Sequence, residues 1–146
     1  MHANILEDRK AIQDLIRGTQ RIAVLGMKTE RQADQPAFYV PRYLADAGFY
    51  VVPVPVYYPD VTEILGRPVY RSLVDVPGPL DLVDVFRRPT DIPPHVPDIL
   101  AKRPTAVWFQ LGIRNDAVAE ELAAAGILVV QDRCLMVEHR RLGLAA

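Results

Sequence analysis

The sequence predicts an α/β fold: a Rossmann-like, doubly wound parallel sheet of about five strands with helices on both faces. Two observations predict it. Five short runs are almost wholly apolar, as strands buried on both faces require. Segments with apolar residues at helical spacing alternate with these runs, which calls for right-handed crossovers and parallel strands.

The elements follow in order. Asn4 and Glu7 stand at capping-box spacing, and Ile5, Ile12, Leu15 and Ile16 share one face, so a helix is expected over about 4–18, ended by Gly18. Ile22-Ala23-Val24-Leu25-Gly26 is the first strand. Val40, Tyr43, Leu44 and Ala47 fall at helical spacing before Gly48. Pro41 is tolerated only near a first turn, which sets that helix's start at about residue 37. Phe49–Val54 and Leu80–Phe86 read as the second and third strands, the latter followed by a helix marked by Ile92, Val96, Ile99 and Leu100. Ala106–Phe109 is the fourth strand, and Asn115 caps a helix with Val118, Leu122 and Ala125 inward. Ile127–Val130 is the fifth, and a last helix runs from about Leu135 to Leu142. The order expected for such a sheet is 3-2-1-4-5, with its switch point between the first and fourth strands, where ligands bind at the carboxyl edge.

The 146 residues are 50% hydrophobic and 24% charged, enough for one cored domain and short for two. One domain over 1–146 is expected, its core over about 21–142. Seventeen basic against eighteen acidic residues, net charge −1, remove the electrostatic case for nucleic acid or a membrane surface. No apolar run reaches the roughly 20 residues of a membrane helix, and charges interrupt any leader-like core in the first eighteen residues. A cytoplasmic protein is expected. One cysteine, Cys134, and three scattered histidines give neither a disulfide nor metal-ligand spacing.

Ligand chemistry is expected in the strand-end loops. The first, Gly26 to Pro36, lacks the three spaced glycines of a dinucleotide fingerprint and runs about ten residues before its helix. It keeps Gly26, Met27, Lys28 and Arg31 beside a helix N-terminus, which suffices to hold a diphosphate, and it also reads as an ordinary connection with solvated charges. With few apolar side chains, it is expected to be mobile without ligand. The second strand ends in Val54, Pro55, Val56, Tyr57 and Tyr58, with no acid before Asp60 to accept ribose hydroxyls; this is a flat wall on which a tyrosine can stack a base. Phe86, Arg87 and Arg88 bring two guanidinium groups to the same edge. Gln110 and Gly112 close the fourth strand, and Gly112 allows close approach of backbone to a ligand. Trp108 reads as core and His139 as structural. Cys134, at a helix start beside Arg133, has no neighbouring base in sequence and reads as a buried small residue.

Taken in order, Ile22–Gly26, Val52-Pro53-Val54, Tyr70–Leu73, Val83–Arg88, Val107–Gly112 and Asp132–His139 resemble the small single-domain CoA-binding protein family. These proteins look like the N-terminal CoA-binding domain of the succinyl-CoA synthetase alpha subunit standing alone. The resemblance covers about residues 5–142. It implies a domain holding coenzyme A or an acyl-CoA at the carboxyl edge, without catalysis of its own, since the synthetase's phosphorylated histidine and nucleotide-bearing subunit have no counterpart here. Two positions depart from the family pattern: Lys28 replaces a small residue, and Pro55 replaces an asparagine. A protein partner or homodimer is compatible with this reading. Two alternatives stay open: an NAD(P)-binding oxidoreductase module, and a partner-binding domain with a vestigial crevice.

Overall fold

In a computed structural model describing residues 2–143, five parallel strands form one sheet: β1 (Arg21–Leu25), β2 (Tyr50–Val54), β5 (Leu82–Val85), β6 (Ala106–Phe109) and β7 (Leu128–Val130). Helices α1 (Arg9–Arg17), α2 (Pro36–Asp46) and α5 (Leu135–Gly143) cover one face, and α3 (Val96–Lys102) and α4 (Asp116–Ala124) the other. Alternation along the strands supplies both cores. Ile22, Val24, Leu82 and Trp108 pack with Ile12, Ile16, Leu44 and Leu135, whereas Ala23, Leu25, Val83 and Val107 pack with Ile99, Val118 and Leu122. Among the described residues no helix is long and apolar enough to cross a membrane.

The fold class is as expected, and one placement differs. The sheet order is β2-β1-β5-β6-β7, so Leu82–Val85 lies directly beside β1, whereas the expected order put it outside β2. A small antiparallel hairpin, β3 (Glu63–Ile64) and β4 (Arg67–Pro68), takes that outer place, held to β2 where the Tyr70 N–H donates to Pro53 O at 3.0 Å. Counted with the hairpin as third element, the order reads 3-2-1-4-5-6, which contains the expected 3-2-1-4-5 outline. The switch point therefore falls between β1 and Leu82–Val85, not between β1 and Ala106–Phe109. Pro53 and Pro68 fit here because this flank of the sheet is not continued by a regular ladder.

The first helix also starts later than the capping-box spacing suggested. Asp8, not Asn4, caps it, its carboxylate accepting the Ala11 N–H at 3.0 Å. Asn4 to Leu6 instead run extended beside β7, exchanging hydrogen bonds with Val129 at 2.8 Å in both directions. That pairing buries Ile5 and covers an open sheet edge.

Pro41 sits in the middle of α2, not in its first turn. It removes the N–H that would bond the Ala37 carbonyl. That carbonyl accepts the Lys28 N–H at 3.1 Å instead, so the proline frees an acceptor that fastens the first loop.

Candidate functional site

A cleft of about 420 Å³ opens at the carboxyl edge of the sheet, above the switch point between β1 and β5. Lys28 and the start of α2 (Gln35, Pro36, Ala37, Tyr39, Val40) form one wall. Phe86 to Pro89 form the other, and Gln110 to Ile113 with Cys134 close the end. Its surface is mainly apolar, with cations concentrated on the β1 and β5 sides.

The two strands meet at Gly26, whose φ of +86° lies in the left-handed region. A Cβ there would stand 2.6 Å from the Phe86 carbonyl oxygen and 3.2 Å from Arg87 Cδ. The glycine is thus required by the approach of β5's end to β1's end. It lets Arg87 cross above the sheet into the cleft.

The two arginines have different surroundings. The Arg87 side chain is 15% exposed, donates from Nε to His95 Nε2 at 3.3 Å, and has Asp91 only at 4.0 Å. Arg88 is 80% exposed and is paired with Asp91 at 2.8 Å. The Arg88 hydrogen bond holds the Asp91 carboxyl below the usual carboxylate range, and Asp91 in turn raises Arg88. His95 is held below its ordinary value by burial and then by the Arg87 charge, so it is the neutral acceptor in this contact.

Helix α2 adds a backbone donor. Pro36 at its first position has no N–H, and Phe38 and Tyr39 both donate to Gln35 O at 2.9 Å. The Ala37 N–H has no acceptor among the described residues, and Ala37 lines the cleft. A helix N-terminus with a free N–H, Arg87 and Lys28 together make a place for an anion. Lys28 Nζ is itself held by Gln35 Oε1. At the far end Gln110 is buried, its Oε1 accepting the Leu135 N–H at 3.2 Å and so fixing the start of α5.

Of the residues the sequence singles out, Lys28, Phe86, Arg87, Arg88, Gln110 and Gly112 line this cleft. Gly26 lies beneath it. Met27 is buried in the core, as is Val54, and Pro55 lies outside the cleft lining. Arg31 faces a separate hollow with Thr29, Tyr58 and Asp60, and Tyr57 is exposed and set edge-on to Tyr58 rather than walling the cleft. The role of Gly112 also changes. Its φ of +85° and its N–H, which donates to Asp132 Oδ1 at 2.7 Å, show that it serves a turn.

The expectation of a loosely held first loop is corrected. Met27 is buried, and Thr29 and Gln32 form a capping box around the turn Glu30–Gln32. The Glu30 carboxylate accepts the Leu65 N–H at 2.9 Å, tying the loop to the hairpin. Sequence reasoning placed this helix's N-terminus at the crevice but missed Tyr39 and Val40 in its wall; the signal was Gln35-Pro36, a proline at a helix's first position facing the crevice.

A parallel sheet with a cation-lined cleft at its switch point defines a Rossmann-like domain. The chain matches the CoA binding domain family over residues 20–140, and it belongs to that family. It is 31% identical over 128 residues to the uncharacterized protein YneT of Bacillus subtilis (strain 168), covering 88% of this chain and 91% of that one. Among solved structures, cell-free ID.343 from Thermus thermophilus is 42% identical with a TM-score of 0.85, covering 93% of this chain and 99% of that chain. The acetyl-coenzyme A synthetase 1 of Ca. Korarchaeum cryptofilum, in complex with phosphate and ADP, shares the fold. Its TM-score is 0.63 at 21% identity, over 80% of this chain and 27% of that chain.

Proposed function

We propose that this protein binds coenzyme A or an acyl-CoA in the β1–β5 cleft, with the diphosphate at Arg87, Lys28 and the Ala37 N–H. The observation that carries this reading is the nearly buried Arg87 guanidinium, whose Nη groups make no hydrogen bond to any described residue, beside a free helix N-terminus. The apolar lining of Pro36, Val40, Leu111 and Ile113 suits the pantetheine arm. Membership of the CoA binding domain family supports the choice of coenzyme A among diphosphate ligands.

The residues lining the cleft include no carboxylate and no histidine, so no carboxylate or imidazole base stands beside Cys134 in that lining. NAD(P) is the competing ligand, and β2 offers it no acid for the ribose. Titration calorimetry with CoA, acetyl-CoA and NAD decides between them. Saturable binding of CoA well above NAD is expected; equal affinity, or binding of NAD alone, overturns the reading. Mass spectrometry of small molecules carried through native purification names the acyl group.

A further inference from the structure

We propose that His95 is a positioning residue for the ligand's anion, acting through Arg87; the proposal rests on the CoA reading above. His95 does not line the cleft. It ends the turn Pro93–His95, beyond the arginine, and its Nε2 lies 3.3 Å from Arg87 Nε. An arginine stem carries several freely rotating bonds, so a guanidinium at the end of one strand needs a second contact to keep one orientation.

The surroundings leave few other contacts. Asp91 is 4.0 Å from Arg87 Nη2 and is engaged by Arg88 at 2.8 Å. The Tyr57 ring centroid is 5.6 Å from the guanidinium carbon, a face contact that does not fix rotation about the stem. The His95 bond is therefore the directional one. It consumes the Nε–H, which leaves the end-on pair of Nη groups for a bidentate contact to one phosphate. For Nε2 to accept, His95 must be neutral with its proton on Nδ1. Gly26 completes the arrangement, since a side chain there would push on Arg87 Cδ, 3.2 Å from the Cβ position. A glycine at the end of β1, a histidine two turns beyond β5 and an arginine between them thus act as one unit.

The test is a set of CoA titrations at pH 8 on the wild type, His95→Phe, His95→Gln, Arg87→Ala and the double variant Arg87→Ala/His95→Phe. Loss of one hydrogen bond to a charged group corresponds to about a tenfold weaker affinity in His95→Phe. His95→Gln, whose carbonyl can accept the Nε–H, recovers most of it. The double variant binds no more weakly than Arg87→Ala alone, because His95 acts only through the arginine. Wild-type affinity in His95→Phe, equal losses in Phe and Gln variants, or additive losses in the double variant each overturn the proposal. Nitrogen NMR of the wild-type histidines provides a readout independent of any variant's folding and of any ligand. An Nδ1–H tautomer at His95 supports the proposal, and an Nε2–H tautomer overturns it. Failure of the wild type to bind CoA at all overturns the reading beneath it, an outcome distinct from binding that His95 does not influence.

Discussion

Each residue at the meeting of β1 and β5 is constrained by a neighbour, and the constraint sets what substitution does. Gly26→Ala places a methyl group 2.6 Å from a backbone carbonyl at a φ of +86°. Left-handed backbone alone costs about 1–2 kcal/mol for a residue with a side chain, so the unfolding free energy should fall by at least that much, and the denaturation midpoint with it. An unchanged midpoint would show that the strand ends can separate freely. The two arginines should separate in the same way. Arg87→Ala is expected to weaken CoA binding by about 1.5–3 kcal/mol, the value of a hydrogen bond to a charged group. Arg88→Ala, at an exposed side chain already paired with Asp91, should leave affinity within a factor of about two. Equal losses in a calorimetric titration would mean that Arg88 turns into the cleft when ligand is present.

Among the elements, the first loop and α2 behave as one piece because Pro41 frees the Ala37 carbonyl for the Lys28 N–H. Hydrogen exchange at Lys28 and at Gln32, whose N–H donates to Thr29 O at 2.8 Å, should be slow even without CoA. Pro41→Ala returns a helical donor to that carbonyl and should speed exchange at Lys28 while α2 itself becomes more protected. Unaltered exchange at Lys28 would show that the capping box around Glu30–Gln32 holds the loop by itself. How far these elements can be read in advance depends on how local their causes are. The strand Ala106–Phe109 and the Asn115 cap of α4 are legible, since burial on both faces and a capping side chain both leave marks in sequence. The hairpin Glu63–Pro68 is not: two-residue strands have no period, and its turn places Leu65, not a turn-forming residue, at a φ of +53°. Strand-end position was enough to find Lys28, Phe86, Arg87 and Gln110 in the cleft. It could not separate Arg87 from Arg88, because Asp91 and His95 choose between them through contacts made only in the folded chain.

Over the whole molecule, the two apolar layers share the same five strands, so unfolding is expected as one cooperative transition. Its pH dependence follows from one buried carboxyl and two half-buried histidines. Asp84, in β5 between Val24 and Trp108, is fully buried, and neither carboxylate oxygen has a hydrogen-bond partner among the described residues. Desolvation holds its carboxyl well above the usual value. The folded state therefore keeps a proton that the unfolded chain releases near pH 3.9, and stability falls as pH rises from there through the folded value. His139, which bonds Tyr43 OH at 2.8 Å between α2 and α5, is held low by burial, and His95 is held low by burial and then by the Arg87 charge. In both, the unfolded chain takes the proton first, so their contribution is complete above about pH 6.5 and is lost as pH falls below it. The carboxylic acid and the histidines thus tilt stability in opposite directions across the same range. Asp84→Val removes the first tilt alone. At pH 7 it should raise stability by about 1–3 kcal/mol, the cost of an unsatisfied buried polar group, or about 2–4 °C in Tm per kcal/mol. That gain should shrink as pH falls through about 4, below which Asp84 is protonated in both states. Below pH 6.5 the variant should lose stability more steeply than the wild type, since nothing offsets the histidines. A difference between the two proteins that stays constant from pH 4 to pH 8 would show that Asp84 does not change its proton count on folding.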